Sequence, residues 1–249
     1  MLNTIYILWL RQIKRYWRSK PRIIGSIGQP LLFLVALGFG MGPIFEKAGG
    51  GNYINFLAPG VMGQAILFMA VFSGVELIWD RQFGFLKETL VAPVTRLEIV
   101  LGKVLGGATI ATFQGIIVFI ITLFVGFKPV NLNLIPVAFG IMFLIALFYT
   151  SLGTAIASKM EDFHGFQLIM NFLVMPTFFL SGALFPITNA PPLIKLISKI
   201  NPFTYGVDGI RQALTGISHF GILNDILILS ILAIILLAIS SYLFSKIEA

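Results

Sequence analysis

Two things are scarce in this chain: cysteine, which is absent, and charge, which is carried by 11% of its 249 residues. Without cysteine the chain has no disulfide, no thiolate metal site and no thiol redox chemistry. Charged residues approach a quarter of a typical soluble domain, so this share, together with 57% hydrophobic residues, excludes a soluble globular protein. The mean hydropathy of +0.96 indicates an integral membrane protein.

Uncharged runs predict the membrane-spanning segments. Each run lacks Asp, Glu, Lys, Arg and His and exceeds the roughly 18 apolar residues of a spanning helix. The runs are continuous rather than alternating, which favours helices over a barrel. The fold we predict is all-α and integral to the membrane, a single transmembrane domain over 1–249. Its six transmembrane helices follow the runs 23–45, 48–75, 104–127, 129–158, 165–194 and 226–245.

The cations sort by loop, which predicts the orientation. Twelve of the 17 Lys and Arg residues fall before the first span, between spans two and three, between spans four and five, or in the C-terminal tail. The positive-inside rule then places both termini in the cytoplasm of a multi-pass protein of the inner or plasma membrane. Because the net charge of +7 is spread over these loops, we expect no nucleic-acid partner. The basic stretch before residue 23 resembles a signal peptide, but the apolar run after it is long and we expect no cleavage.

Residues 1–22 predict an amphipathic helix in the membrane interface. Its apolar and aromatic residues recur at helical spacing, and its cations take the other side, which suits anionic lipid. A plain topology signal is the alternative. Further along, Gly102 and Gly106 form a small-xxx-small pair that favours close helix packing within the chain over dimerisation. The apolar face of the first helix comprises Tyr6, Trp9, Leu10, Ile13, Tyr16 and Trp17, and the basic face Arg11, Lys14, Arg15 and Arg18.

The loop 80–103 holds seven of the chain's 27 charged residues between two uncharged spans. Pro93 should end a short helix, predicted from Gly84 to Val91, and Thr95 with Glu98 forms a capping-box pattern that starts the next one. Phe83, Leu86 and Leu90 share one side of the short helix. We expect this apolar side to need a partner surface or the membrane interface, unless the helix rests on its own bundle. Glu76, just before the loop, is expected to face the loop.

The segment 186–222 predicts an outer helical hairpin. Pro186 and the Pro191-Pro192 pair interrupt the chain, and two helices too short to span the membrane should follow, re-entrant or interfacial. The second helix begins with Asn201 as cap and Pro202 as first residue and should end near Gly216. Its Asp208 and Arg211, three residues apart, are predicted to pair.

Several chemistries have no support in the sequence. The sequence contains no G-x-x-x-x-G-K-[ST] motif for binding nucleotide. It has two histidines, His164 and His219, which are assigned to opposite sides of the membrane and cannot form an H-E-x-x-H zinc site. The spans lack a base beside a nucleophile, so we predict that the chain is not an enzyme. Their middles carry no Asp, Glu or His, which argues against an ion-coupled carrier.

Two stretches resemble signature regions of one transporter family. They are WDRQFGFLKETLVAPVTRLEIVLGKVLGG (79–107) and LSGALFPITNAPPLIKLISKINPFTYGVDGIRQAL (180–214). Both are similar to type-2 ATP-binding-cassette (ABC) exporter permeases, and within that family to the branch of daunorubicin-resistance and nodulation-factor exporter membrane subunits. The order of elements agrees along nearly the whole chain.

The resemblance implies a homodimer bound to two copies of a separate ATP-binding subunit, which would hold ATP and Mg while this chain holds no cofactor. The short loop helix would be the coupling helix, residues 1–22 the connecting helix and 186–222 the re-entrant outer cap. Gln82 departs from the family, in which an acidic residue often stands at that position. The residues implied in ATPase coupling are Phe83, Gly84, Phe85, Leu86, Lys87, Glu88, Thr89 and Leu90.

The family's dimer cavity would place a substrate path along spans two and five. One stripe there comprises Gln64, Phe68 and Phe72, and a second comprises Asn171, Met175 and Phe178. An amide beside apolar bulk suits an amphiphilic or lipid-linked substrate exported by alternating access, although both stripes also fit core packing. Two other functions stay open: an ATPase-independent secondary carrier or channel, and a membrane anchor or assembly factor.

Overall fold

The computed structural model describes residues 2–48 and 51–247, and these residues form helices, turns and connecting loops without a strand. The α-helices are α1 (Leu2–Arg18), α2 (Lys20–Lys47), α3 (Tyr53–Phe72), α4 (Val75–Gln82), α5 (Phe85–Val91), α6 (Arg96–Val125), α7 (Ile135–Ala157), α8 (Phe163–Phe179), α9 (Pro192–Ile200), α10 (Pro202–Thr215) and α11 (Ile222–Ser245). Short 3₁₀ turns at Leu132–Leu134 and Ile187–Asn189 precede α7 and α9. The all-helical prediction is confirmed.

Within the described residues, five segments are long and apolar enough to cross a membrane: Ile23–Lys47, Tyr53–Gln82, Arg96–Val125, Leu132–Ala157 and Ile222–Ser245. The remaining predicted span corresponds to α8, which has 17 residues and contains Pro176. At 1.5 Å per residue it is about 26 Å long, slightly less than the ~30 Å hydrocarbon core. The structure thus gives five candidate spans and one shorter apolar helix.

Helix α3 forms the centre of the bundle. The segment Tyr53–Gln82 is 83% buried over its most apolar stretch, whereas the corresponding stretches of α2 and α11 are only 17% buried. α2, α6, α7 and α10 pack around α3, and α11 lies outside against α7 and α10. A helix that is apolar on all sides is expected either at the centre or in contact with lipid, and the bundle contains both kinds.

The polar groups collect at two ends of the bundle. At the first, which we call the basic end, Arg11 and Arg81 contact Asp80 and the α7–α8 loop, and Arg96 donates to the carbonyl of Ile247. At the opposite end, which we call the cap end, α10 packs on α3 with α9 beside it, and Arg211 of α10 donates to the carbonyl of Phe56 near the start of α3. In the sequence, the loops divide into a cation-rich group and a cation-poor group. The two groups lie at opposite ends of the bundle.

Local signals predicted several helix boundaries correctly. The capping box is formed, with the Glu98 carboxylate accepting from the Thr95 N–H at 2.7 Å, and α5 ends at Val91 before Pro93. Asn201 caps α10 by accepting from the Phe203 N–H at 3.0 Å, and Gly216 ends α10 with φ +77°. Two short helices, α9 and α10, thus follow α8 as predicted.

The predicted ion pair between Asp208 and Arg211 is not formed between these two described side chains. Asp208 instead accepts from the backbone N–H groups of His219 and Phe220, at 2.8 and 2.9 Å. Arg211 donates to the carbonyl of Gly182 at 3.0 Å. Each side chain bonds to the backbone of a different loop, so each residue fastens one loop to α10.

Candidate functional site

The buried carboxylate of Asp80 is the centre of the basic end. It is 4% exposed and accepts from Arg11 Nη2 at 3.2 Å and from Lys103 Nζ, and Arg15 Nη1 lies 3.6 Å away. These partners come from α1 and α6. Asp80 therefore ties three helices, α1, α4 and α6, together at one point, and we call Asp80 with Arg11, Arg15 and Lys103 the basic-end junction.

The enclosure of this junction makes it energetically significant. Lys103 is only 7% exposed, and a buried charge is tolerated when it is paired and hydrogen-bonded. Removing one partner of such a pair typically costs about 3–5 kcal/mol, because the other charge is left uncompensated. The sequence treated Asp80 and Lys103 as markers of a polar loop, whereas the structure buries both.

Glu76 also lies inside the bundle, so the expectation that it faces the loop is wrong. It is 3% exposed and sits one helical turn before Asp80, with Gln12 and Lys103 around the same small cavity. That cavity of about 10 Å³ is the size of one water molecule. Glu76 is buried because α4 continues the central helix, and its side chain lines this cavity together with residues of α1, α6 and α7.

The short helix α5 is fastened to the same junction. The Arg11 guanidinium lies 3.4 Å from the centre of the Phe85 ring, a cation–π contact, and Leu86 is 3% exposed. Gly84 adopts φ +77°, a left-handed conformation that glycine reaches without a steric penalty, and so lets the chain turn from α4 into α5. α5 is thus held by α1 through an aromatic ring and by the core through a leucine.

A second set of contacts fixes α4 to the α7–α8 loop. Arg81 Nη1 donates to the carbonyl of Met160 at 3.2 Å, and Gln82 Nε2 donates to the carbonyl of Glu161 at 3.0 Å. The Gln82 contact needs an amide donor, which an ionised acidic residue could not supply. Trp79 stacks on Phe163 of α8 with ring centroids 6.1 Å apart.

The outer face of α5 differs from the predicted one. Leu86 is buried against its own chain and Leu90 packs partly against the core, so the predicted apolar side of Phe83, Leu86 and Leu90 does not stay together on the surface. The exposed apolar residues here are Phe83, in the turn just before α5, at 82%, and Val91, at the end of α5, at 87%. Lys87 and Glu88 are exposed as well. The available face combines two apolar side chains with one cation and one anion.

Helix α1 is docked on α6 through two glycines. A Cβ at Gly102 would lie 2.6 Å from Leu8 Cβ, and one at Gly106 would lie 2.7 Å from Gln12 Cβ. Such distances leave no room for a side chain, so the glycines allow α1 to approach closely. The aromatic face predicted for α1 is divided: Tyr16 is buried and donates to Gln114 Oε1 at 3.0 Å, whereas Tyr6 and Trp17 are exposed.

The first of the two predicted substrate stripes lines a cavity. Gln64, Phe68 and Phe72 of α3 face Gln29 and Pro30 of α2 around a space of about 350 Å³. Gln64 is 1% exposed, and its amide nitrogen and oxygen have no hydrogen-bond partner among the described residues. An unsatisfied buried amide is uncommon in a folded protein and marks this position as unusual.

The second stripe is divided between surface and core. Asn171 and Met175 lie on the exposed side of α8, while Phe178 is fully buried and packs edge-on against Phe33 at a centroid distance of 5.9 Å. The exposed side of α8 also carries Leu168 and Phe172, and the exposed Gln167, one turn before Asn171, adds a second amide to this largely apolar surface.

Comparison with known proteins identifies the family. The family model described as ABC-2 type transporter matches residues 3–215. The transport permease ycf38 of Pyropia yezoensis is 30% identical over 225 residues, which cover 88% of this chain and 76% of that protein. Nodulation protein J of Rhizobium leguminosarum bv. trifolii is 27% identical over 213 residues, covering 85% and 78%. These matches confirm the resemblance indicated by the stretches 79–107 and 180–214, and the chain belongs to the ABC-2 type transporter family of membrane permeases.

Proposed function

We propose that this chain is the membrane-spanning permease subunit of an ATP-driven exporter. One observation carries the proposal: α5 is fastened to α1 and the core on one side and presents an exposed surface on the other. A helix held in this way can receive a push from a partner protein and transmit it to the bundle. The family match and the ycf38 and nodulation protein J relatives support a transport function.

In this proposal the residues of α5 and of the turn before it divide into two roles. Phe83, Lys87 and Glu88 contact the ATP-binding subunit, as does Val91. The remaining residues hold the helix in place: Gly84 forms the turn, and Phe85, Leu86, Thr89 and Leu90 face or support the bundle. Thr89 donates to the carbonyl of Phe85 at 2.9 Å within the helix.

Movement of α5 would reach the bundle through the basic-end junction. Arg11 contacts both Phe85 and Asp80, and Asp80 is bonded to Lys103 on α6. The chain of contacts is therefore continuous from α5 to α1 and α6. Residues 1–22 act as the connecting helix and 80–103 as the coupling loop.

The proposed assembly contains two copies of this chain and two copies of a separate ATP-binding subunit, which binds ATP and Mg. α8 serves as the fifth of six spans, and both termini face the cytoplasm. The segment 186–222, with α9 and α10, forms a re-entrant cap on the outer side. The burial of α10 over α3 supports this placement, since a plain connecting loop has no need of a buried helix.

The proposed cargo is amphiphilic or lipid-linked and moves by alternating access. Gln64 with Phe68 and Phe72 supplies an amide beside apolar, aromatic side chains. Asn171 with Met175 supplies an amide beside an apolar side chain on α8. Phe178 supports the α8 wall from behind. The cavity of about 350 Å³ is within the range of small-molecule sites, and its lining combines the amides of Gln29 and Gln64 with apolar and aromatic side chains, which suits an amphiphilic ligand.

A reconstitution experiment tests this function against the secondary carrier or channel. The chain is placed in lipid vesicles with and without the ATP-binding subunit, and transport of a fluorescent amphiphile is followed. We expect transport only with that subunit and with ATP, unchanged when ionophores abolish ion gradients. Transport by the chain alone, driven by an ion gradient, would show that it is a carrier or channel instead.

A further inference from the structure

The cap end contains a second cavity, separate from the one beside Gln64. It measures about 510 Å³ and lies between the end of α2, the start of α3, the α8–α9 connection, α10 and the loop after α10. We propose that this cavity binds an anionic amphiphile, with its single negative charge at Arg211 and its apolar part in the outer half of the cavity. The site depends only on the fold of this chain and holds whether or not the proposed export function does.

Arg211 is a buried cation without a counter-ion among the described residues. It is 8% exposed; its Nη2 donates to the carbonyls of Gly182, at 3.0 Å, and Phe56, at 3.4 Å. Its guanidinium lies 4.2 Å from the centre of the Phe56 ring. Burial lowers the pKa of Arg211 to about 10, so the group stays charged at neutral pH. Neutral carbonyls and one ring thus surround a full positive charge that lines a cavity.

Part of the guanidinium is left for a ligand. Nε has no hydrogen-bond partner, and Nη1 donates to no described residue. A guanidinium has five N–H donors in a planar arrangement that matches a carboxylate or a phosphate. Leaving such donors unpaired in a buried position is costly, and an anionic ligand would satisfy them.

Thr204 adds a second polar group on the same face of α10. It lies seven residues, or about two turns, before Arg211, is 2% exposed and also lines the cavity. Its Oγ1 has no hydrogen-bond partner among the described residues. A hydroxyl can donate to the headgroup oxygens, so Thr204 and Arg211 together mark the polar side of the site.

Asp208 sets the charge of the ligand. It lines the same cavity, but its carboxylate already accepts from Ser218 Oγ at 3.2 Å and from the N–H groups of His219 and Phe220. It therefore does not neutralise Arg211, yet its negative charge lies nearby. A headgroup with one negative charge gains the attraction of Arg211 with the least repulsion from Asp208.

The other residues that line the cavity are mostly apolar, with the polar Ser181, Thr188, Ser218 and His219 among them. Its volume lies in the 300–1,000 Å³ range of small-molecule sites, which are mostly apolar with a few fixed polar groups. An acyl or alkyl chain fits these walls, whereas a small free anion would leave them without contacts. The apolar lining comprises Phe45, Phe56, Ile187, Ile217 and Phe220.

Binding can be measured on the chain alone in phosphatidylcholine nanodiscs, with binding to empty nanodiscs subtracted. The probes are radiolabelled dodecanoate above its pKa, dodecylammonium with the same chain and opposite charge, and acetate as the anion without a chain. We expect saturable binding of dodecanoate at about one per chain and no saturable binding of the other two. Equal binding of dodecylammonium would contradict the claim that the site selects an anion. Equal binding of acetate would contradict the claim that the ligand needs an apolar chain.

Ile217→Glu is the main variant, because Ile217 lines the cavity but is 66% exposed, so the fold does not depend on it. A negative charge there should weaken dodecanoate binding about tenfold or more. Leu193→Glu is the matched control, because Leu193 is 67% exposed and lies outside the cavity lining. This variant should change the affinity for dodecanoate less than about twofold. Arg211→Gln should abolish binding and Arg211→Lys should retain part of it. Unchanged affinity in both Ile217→Glu and Arg211→Gln would refute the site.

Discussion

Asp80 on α4 accepts a hydrogen bond from Lys103 on α6, and protein encloses both side chains almost completely. The two residues stand at the two ends of the charged loop 80–103. Their contact closes that loop, so α5 lies between two fixed points. Because Arg11 of α1 also donates to Asp80, the same carboxylate links the first helix to the base of α5.

Asp80→Asn should lower the free energy of unfolding by about 3–5 kcal/mol, because Lys103 would then be a buried cation without a carboxylate at this position. Lys103→Met should cost less, since Asp80 keeps Arg11 and Arg15. In the double variant the two effects should not add, as expected for groups in contact. Unfolding in detergent, followed by circular dichroism, measures all three. Additive losses would show that the two residues are energetically independent.

Gly102→Ala should separate α1 from α6, because the new Cβ would lie 2.6 Å from Leu8 Cβ. Overpacking of this kind costs about 1–3 kcal/mol. Gly140→Ala is the control: nothing lies within 4 Å of that position in α7, and alanine in a helix should stabilise by about 0.5–1 kcal/mol. Thermal unfolding of both variants tests the packing, and a neutral Gly102→Ala would mean that α1 does not pack on α6 at this distance.

Asp208→Ala should release the loop after α10. The N–H groups of His219 and Phe220 would lose their carboxylate acceptor, and a hydrogen bond to a charged group contributes about 1.5–3 kcal/mol. Hydrogen exchange at these two amides should become faster by about tenfold or more. Ser218→Ala removes a single donor to Asp208 and should leave both amides protected. Unchanged exchange in Asp208→Ala would contradict the arrangement.

Leu86→Ala and Phe83→Ala should differ in their effect on stability. Leu86 of α5 faces the bundle, whereas Phe83, in the turn before α5, faces outward. Leu86 is 3% exposed, so its truncation should cost about 2–5 kcal/mol, whereas Phe83, 82% exposed, should fall within about 0.5 kcal/mol of wild type. Unfolding of the isolated chain decides between them. If Phe83→Ala proved the more destabilising, the inner and outer faces of α5 would be reversed.

Local signals in the sequence predicted much of the fold. Apolar runs predicted the long helices, and Pro93, the Thr95–Glu98 capping box and the Asn201 cap predicted boundaries that the structure confirms. Each of these signals operates within a few residues, where backbone sterics and capping hydrogen bonds dominate. A single sequence contains such information directly.

The partners of buried charges could not be predicted in the same way. Asp80 and Arg11 are 69 residues apart, and Arg211 and Gly182 are 29 apart. The sequence favoured the nearest opposite charge, which gave the wrong pair for Asp208. It also placed Leu86 on an outward face, because helical spacing alone does not show which side of α5 meets the bundle. These features depend on how helices pack, which spacing within one helix does not determine.

The central claim is that α5 carries the contact with an ATP-binding subunit. It is tested most directly by co-purifying that subunit with Phe83→Ala and with the control Phe124→Ala, whose phenylalanine is 87% exposed on α6. We predict that Phe83→Ala weakens the complex about 30-fold and reduces transport-coupled ATP hydrolysis, as loss of an interface hot spot of about 2 kcal/mol would, while Phe124→Ala leaves both unchanged. Equal affinity and equal coupling in the two variants would contradict the account.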